Sequence, residues 1–227
     1  KLENVCELVE VLPKVDMAVS VGGDGTFLRT ATTVGNTGIP VLGINTGRLG
    51  FLAAINYSDV DETLKEVMDR NYREEERTLL KMSTDETFPP EHFNTNALNE
   101  IALLKQDTAS MLSIHAYINN DYLTSYQADG LIISTPTGST AYSLSIGGSI
   151  LSPTTPSIIL SAIAPHNLTS RSLVVDDSSI ISLKVESRSH TFLVSLDGQA
   201  RVLDETVRIQ VTTADYTLRG VTRVGRT

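Results

Sequence analysis

The sequence predicts two domains of different kinds. The first is a Rossmann-like α/β domain over residues 1–75. The second is a β-rich, sandwich-like domain over residues 76–227, with its C-terminal end a candidate to return to the first. Three observations predict this. Apolar runs at 15–21 and 39–44 alternate with helical patterns, which is the βαβα order of an α/β layer. Beyond Glu74 the apolar period changes to two, as half-buried strands require. The first strand run stops abruptly in Gly22-Gly23-Asp24-Gly25-Thr26, a glycine turn opening a helix.

Along the chain, Leu2, Val5, Cys6, Leu8, Val9 and Leu12 recur at helical spacing, and Pro13 ends the pattern. Val15 to Val21 reads as a buried parallel strand and Thr26 to Val34 as a helix with Gly35 just past its end. Ile39 to Ile44 is a second buried strand, and Asp59 to Met68 an amphipathic helix with Ser58 as its N-cap. Thr84 to Asn96 is the one long loop. In the second domain Leu112, Ile114, Ala116 and Ile118 share one strand face, as do Ile181, Leu183 and Val185, then Phe192, Val194 and Leu196, then Val207, Ile209 and Val211. Asn119-Asn120-Asp121 and Asp197-Gly198 carry hairpin-turn chemistry.

Composition narrows the function. At 227 residues the chain can bury two cores, and no apolar run approaches the ~20 residues of a membrane-spanning helix. A formal charge of −9 speaks against nucleic acid or an anionic membrane as partner, yet leaves phosphate-bearing small molecules open. Such ligands can be held by backbone N–H groups and helix N-termini. The lone Cys6 excludes an internal disulfide and points to the cytoplasm. His92, His115, His166 and His190 show no metal-ligand spacing, and no dedicated protein ligands for a metal are expected.

Two stretches carry chemistry. In Gly22-Gly23-Asp24-Gly25-Thr26 the glycines let backbone N–H groups approach a phosphate. The loop is neither a Walker motif nor a dinucleotide fingerprint, since both spacings are absent. Asp24 in such a cradle would hold a cation, accept a proton from an attacking hydroxyl, or simply cap the helix. In Asp129 to Ser145 an apolar run leads into a dense group of hydroxyls, with Ser139 as a candidate cap for a helix over 140–145. These hydroxyls would serve a ribose or phosphate, and Tyr142 would pack on a base; an ordinary solvent-facing turn is the other reading. Asn99-Glu100 lies inside an apolar pattern and needs partners if buried; vicinal sugar hydroxyls would supply them, and a strand end in water is the alternative.

Taken together these stretches resemble the NAD kinases. Gly22 to Thr26 alone is shared with lipid kinases and phosphofructokinases. Asn45 to Leu52, Asn99-Glu100, Asp129 to Ser145 with Gly147-Gly148, Pro165 to Leu168 and Asp197-Gly198-Gln199 are similar to successive family motifs, from about Val15 to Gln199. The resemblance implies phosphoryl transfer from ATP, or another donor such as polyphosphate, to the 2′-hydroxyl of the adenosine ribose of NAD. It also implies a Mg²⁺ requirement, NAD bound across the domain junction and a homo-oligomer, dimer or tetramer.

By the same resemblance Asp24 is the general base, and Gly22, Gly23, Gly25 and Thr26 form the phosphate-donor loop. Gly25 meets the dinucleotide by its backbone, and Phe27 and Arg29 line the cleft. Asn99 and Glu100 hold the ribose, and Asp129 reaches the nicotinamide half. Thr140, Ala141, Tyr142, Ser143 and Ser145 wrap the adenine, and Gln199 closes the site. Ala164 approaches by its backbone, from a neighbouring subunit. Gln127 stands where many relatives have a basic residue, and Ser172 where a proline is common. Relatives carry about one more βα unit first, so the α/β domain is expected to be N-terminally incomplete. Two rival readings remain: a lipid or sphingoid-base kinase of the same loop class, and a non-catalytic NAD-binding sensor.

Overall fold

A computed structural model of the chain describes residues 15–47, 50–53, 55–85, 94–106 and 110–224. The helical pattern over 2–12, His92 and positions 48 and 49 of the second glycine motif lie outside the described residues. The chain forms two compact units: the residues up to Glu75 together with those from Leu218 on, and Glu76–Thr217.

The first unit is α/β. Strand β1 (Ala18–Gly22) leads to helix α1 (Asp24–Val34), and β2 (Val41–Asn45) to the short β3 (Ile55–Asn56) and helix α2 (Val60–Met68). β1 and β2 pair in parallel from Ala18↔Val41 to Gly22↔Asn45. β2 is buried at every position, which suits a central parallel strand covered on both faces. One cover is α1, whose Phe27, Ala31 and Val34 recur at i, i+4 and i+7 and are all buried. The other is α2, whose Val60, Leu64 and Val67 pack on Leu42, Ile44, Ile55 and Val221. Arg223, 8% exposed, fixes α2 further: its Nε donates to Glu66 at 2.6 Å and its Nη2 approaches Glu62 at 2.9 Å.

β1 corrects the expectation of a fully buried strand. Its pattern alternates, with Ala18 and Ser20 buried on one face and Val19 and Val21 exposed on the other, and among the described residues only β2 pairs with it. Two helix starts also differ. Asp24 already lies in α1, with Gly23 as the N-cap residue. Ser58 caps nothing; it sits in a 3₁₀ turn over Tyr57–Asp59, where its hydroxyl donates to the Asp59 carboxylate.

The second unit is a sandwich of antiparallel strands. It begins within β4 (Tyr72–Thr84), which pairs with β5 (Asn96–Ala97). One layer joins β7 (Leu112–Ile118), β8 (Asp121–Ala128), β12 (Ile181–Glu186) and the first part of β15 (Ile209–Arg223). The other has the order β11 (Leu173–Asp176), β10 (Ser157–Ile163), β9 (Gly130–Ser134), β6 (Glu100–Lys105), β13 (Thr191–Leu196), β14 (Gln199–Asp204). A four-residue helix, α3 (Tyr142–Ser145), lies between β9 and β10 in sequence.

The alternating positions meet in one core. Leu112, Ile114, Ala116, Ile181, Leu183, Val185, Ile209 and Val211 come from the first layer. Ile101, Leu103, Leu131, Ile133, Ile158, Leu160, Phe192, Val194 and Leu196 come from the second. Each such side chain contributes about 1.5–3 kcal/mol on burial, so the period-two pattern is what holds the layers together. The hairpin turn at Asn119 and Asn120 has φ of 52° and 71°, and that at Asp197 and Gly198 has φ of 47° and 86°. Two successive positive φ angles are what a type I′ turn needs, and Asn, Asp and Gly tolerate them best. Among the described residues no helix is long and apolar enough to cross a membrane.

Candidate functional site

The glycine loop folds as a strand end delivering an open helix N-terminus. Gly22 has φ of 154°, and a Cβ there would lie 2.4 Å from Thr26 Oγ1, so only glycine allows the loop to close on α1. α1 has no side-chain cap. Thr26 N and Phe27 N donate to Gly23 O at 2.9 and 3.1 Å, so among the described residues the N–H groups of Asp24 and Gly25, with the positive end of the dipole, are left for an anion. Gly23 and Gly25 are exposed, and a Cβ on either would meet nothing within 4 Å.

Asp24 is not a cap. Its carboxylate turns to the segment after Gly50, where Oδ2 accepts from Phe51 N at 3.0 Å and Oδ1 from Leu52 N and Ala53 N at 3.1 and 3.2 Å. A carboxylate offers about four lone-pair sites. The described contacts occupy three of them, leaving one on Oδ2. Gly50 makes this seat possible, since a Cβ there would lie 2.2 Å from Asp24 Oδ1.

The second unit assembles a different cluster around Leu98–Glu100. Asp197, in the turn between β13 and β14, accepts from Leu98 N at 2.7 Å, Asn99 N at 2.9 Å and Glu100 N at 3.0 Å. The carbonyl side of the same segment is held from β9 and the loop after it. Thr135 Oγ1 donates to Leu98 O at 2.6 Å, and Thr135 N donates to Asn99 O at 2.9 Å. Gly138 lies so close that a Cβ would fall 2.1 Å from Asn99 O.

With its backbone satisfied, this segment keeps two buried side-chain oxygens without a partner among the described residues, Asn99 Oδ1 and Glu100 Oε2. Neither side chain lies in open water, so the strand-end alternative fails. An unpaired buried acceptor costs about 1–3 kcal/mol, so both call for hydroxyl or N–H donors from a ligand. Burial, then the neighbouring Asp197 charge, pushes the Glu100 carboxyl up to about 7, against a smaller lowering by the Tyr142 N–H. Burial raises Asp197 as well, opposed by its three N–H donors.

The hydroxyl-rich stretch is mostly occupied with itself. A 3₁₀ turn over Thr137–Thr140 precedes α3, and Ser139 does not cap it; its hydroxyl accepts from Leu151 N at 3.1 Å. Thr140 Oγ1 donates to Thr137 O, and Ser145 Oγ to Tyr142 O. Ser143 was expected to touch the adenine. It is fully buried, 3.4 Å from Ser161 Oγ, which in turn contacts Ser172 Oγ at 2.7 Å. It therefore anchors α3 to β10 instead of facing a ligand. Tyr142 is exposed, as a base-stacking ring must be, and Ala141 is half-buried beside it.

Phe27 was expected to line the cleft; its ring lies in the core against Gly43 and is 2% exposed. It is apolar and at the i position of the buried stripe of α1, so packing claims it. Arg29, Gln127 and Gln199 are exposed. Asp129 pairs with Lys105 Nζ at 2.7 Å. Ala164 is exposed with φ of 44°, a positive φ that costs a residue with a Cβ roughly 1 kcal/mol or more.

Three residues that shape the site lie in the family-like motifs, but their sequence context assigned them no such role: Asp197, read as a turn, and Gly50 and Gly138, whose close approaches link positions far apart in sequence. Among the described residues no group of three or more His, Cys, Asp or Glu could hold a metal ion.

Comparison with known proteins bears on these two clusters. Residues 6–72 match the model of the ATP-NAD kinase N-terminal domain, and residues 98–222 that of the ATP-NAD kinase C-terminal domain. The NAD kinase of Bacteroides fragilis is 52% identical over 92% of this chain and 71% of its own length. That of Flavobacterium johnsoniae is 46% identical over 93% and 72%. Among solved structures, yeast NADH kinase complexed with NADH superposes with a TM-score of 0.84 at 34% identity, covering 92% of this chain and 62% of that one. An NAD kinase from Archaeoglobus fulgidus in complex with ATP gives 0.80 at 29% identity, covering 92% and 78%. With models for both domains matched in order over most of its length, the chain belongs to the NAD kinase family.

Proposed function

We propose that this chain transfers the terminal phosphoryl group of ATP to the 2′-hydroxyl of the adenosine ribose of NAD, producing NADP. The observation that carries the reading is the pair of buried, unpartnered oxygens on Asn99 and Glu100. They ask for the adjacent hydroxyls of a sugar, whereas a lipid acceptor would need an apolar cleft. Family membership and the ATP and NADH bound by its structural relatives support the same reading.

In this mechanism the open N-terminus of α1 receives phosphate oxygens of the donor. Asn99 and Glu100 hold the ribose, and Tyr142 stacks on the adenine. Asp24, fixed by three backbone N–H groups, accepts the hydroxyl proton on the remaining lone pair of Oδ2. That the base is seated and the helix uncapped speaks for an enzyme over a sensor. The uncapped N-terminus of α1 offers backbone donors to phosphate oxygens, which fits Mg²⁺ carried in on the triphosphate. There it would neutralise charge on the transferring oxygens. Inorganic polyphosphate would meet the same donor loop.

The reaction belongs in the cytoplasm, in a homo-oligomer where the backbone at Ala164, with its positive φ, approaches a neighbouring subunit's ligand. Light scattering on the purified protein reads the subunit number, and a monomer would remove that role from Ala164.

The deciding experiment incubates the protein with NAD, ATP and Mg²⁺ and detects NADP with an NADP-specific dehydrogenase. Asp24→Asn should bind NAD and lose about 10²–10⁴-fold in kcat. Near-full turnover in that variant would remove Asp24 as the base. NAD binding without turnover in the native protein would favour the sensor, and phosphorylation of diacylglycerol the lipid kinase.

A further inference from the structure

The carboxylate of Asp197 is not placed by the motif it sits in. A type I′ turn needs positive φ at its two central residues, which Asn-Gly would give equally well. Here the side chain leaves the turn and accepts the three consecutive N–H groups of Leu98, Asn99 and Glu100 at 2.7–3.0 Å. The backbone answers in the other direction, because Asp197 N donates to Glu100 O at 3.2 Å. The start of β6 and the β13–β14 turn thus form a closed ring. What projects from that ring is Glu100, with Oε2 buried and unpartnered.

On the reading that Asn99 and Glu100 receive the ribose of NAD, we infer that Asp197 is the positioning residue of that pair. We further infer that Asp197 and Glu100 together form a carboxylate couple that makes NAD capture depend on pH. The argument is one of geometry and charge. Two carboxylates share one partly dry corner. Burial raises the Asp197 carboxyl while its three N–H donors favour the charged form, and among the described residues Glu100 accepts the Tyr142 N–H. Among the described residues, Asp197 from the β13–β14 turn and the Tyr142 N–H from α3 are the groups that act on Glu100.

Ribose hydroxyls donate best to an ionised Glu100, and the free carboxyl titrates at about 7. The sign follows. Above that pH Glu100 is ionised and captures the ribose. Below it, the proton must leave before NAD binds, so affinity falls as pH falls and binding releases a proton. Replacing Asp197 by a neutral residue removes a like charge, lowers the Glu100 pKa and moves the loss of affinity to lower pH. A purely structural Asp197 would weaken binding without moving the limb.

The test is a titration of NAD onto the full chain without ATP, by calorimetry in two buffers of different ionisation enthalpy, from pH ~5.5 to pH ~8.5. For the native protein the dissociation constant should rise up to about tenfold per pH unit below about 7, with a proton released. Asp197→Asn should bind NAD about 10- to 100-fold more weakly at neutral pH, with its acid limb displaced downward. Glu100→Gln, which leaves the Asp197 ring intact, should bind weakly with no limb near 7, and it serves if Asp197→Asn does not fold. A flat affinity in the native protein, a limb unmoved in Asp197→Asn, or a limb still present in Glu100→Gln overturns the inference. No NAD binding at any pH overturns the functional reading beneath it.

Discussion

Asp24 in the first unit and Asp197 in the second each accept three consecutive backbone N–H bonds, from Phe51 to Ala53 and from Leu98 to Glu100. The device is the same and the division of labour differs. Asp24 stands in the first turn of an uncapped helix and is itself the proposed base, so one carboxylate both holds a loop and reacts. Asp197 stands in a tight turn and reacts with nothing; it presents Asn99 and Glu100, whose side-chain oxygens are the ones left unpaired. In the first unit replacing the carboxylate removes support and chemistry together. In the second the two can be separated by mutation.

The glycine opposite each seat breaks the comparison most sharply. Gly50→Ala would drive a Cβ to within 2.2 Å of Asp24 Oδ1, a side-chain atom that can swing away. Asp24 then leaves its three donors while the fold survives. The expected result is a kcat lower by about 10²–10⁴-fold, with KM for NAD changed by less than about threefold. Steady-state kinetics decide it, and a kcat near the native value would mean that the base needs no seat.

Gly138→Ala meets backbone instead, since its Cβ would fall 2.1 Å from Asn99 O. Neither side can rotate away, so a destabilisation of about 1–3 kcal/mol is expected from overpacking. Asn99 moves with its carbonyl, and KM for NAD should rise while kcat at saturation holds. Urea unfolding and the same kinetics read both effects. A rise in neither would mean that the two segments part without cost.

These seats explain what the sequence could and could not disclose. The sandwich was legible because Leu112, Ile114 and Ala116 alternate with polar residues, and Phe192, Val194 and Leu196 recur at the same period of two, on strands whose outer face is only partly covered. The α/β order was legible from two apolar runs, although β1 proved half-exposed, which an apolar run cannot reveal about an edge. The glycine loop announced an anion site through local context alone. Asp197 was legible as a turn and silent as a clamp, because its partners lie 97–99 positions away in sequence. Gly50 and Gly138 look like loop glycines until the atoms opposite them are known. Hydroxyl density misled in the opposite sense. Ser139 suggested a helix cap and Ser143 a ligand contact, yet both are buried and spent on neighbours, since a Ser-rich turn satisfies itself before it serves a ligand.

Ser143→Ala sharpens that last point and carries the smallest expected effect. Its hydroxyl reaches Ser161 Oγ at 3.4 Å, a long contact, while Ser161 keeps its 2.7 Å bond to Ser172. Losing one such bond costs about 0.5–1.5 kcal/mol, and here the low end is expected because Ser161 retains a partner. Since Ser143 is fully buried, KM for NAD should change by less than about twofold, where loss of a direct adenine contact would raise it about tenfold. A tenfold rise in KM with unchanged stability would return Ser143 to the ligand-contacting residues. It would also mean that α3 opens when NAD arrives, so that the second unit, like the first, lets one residue both support and bind.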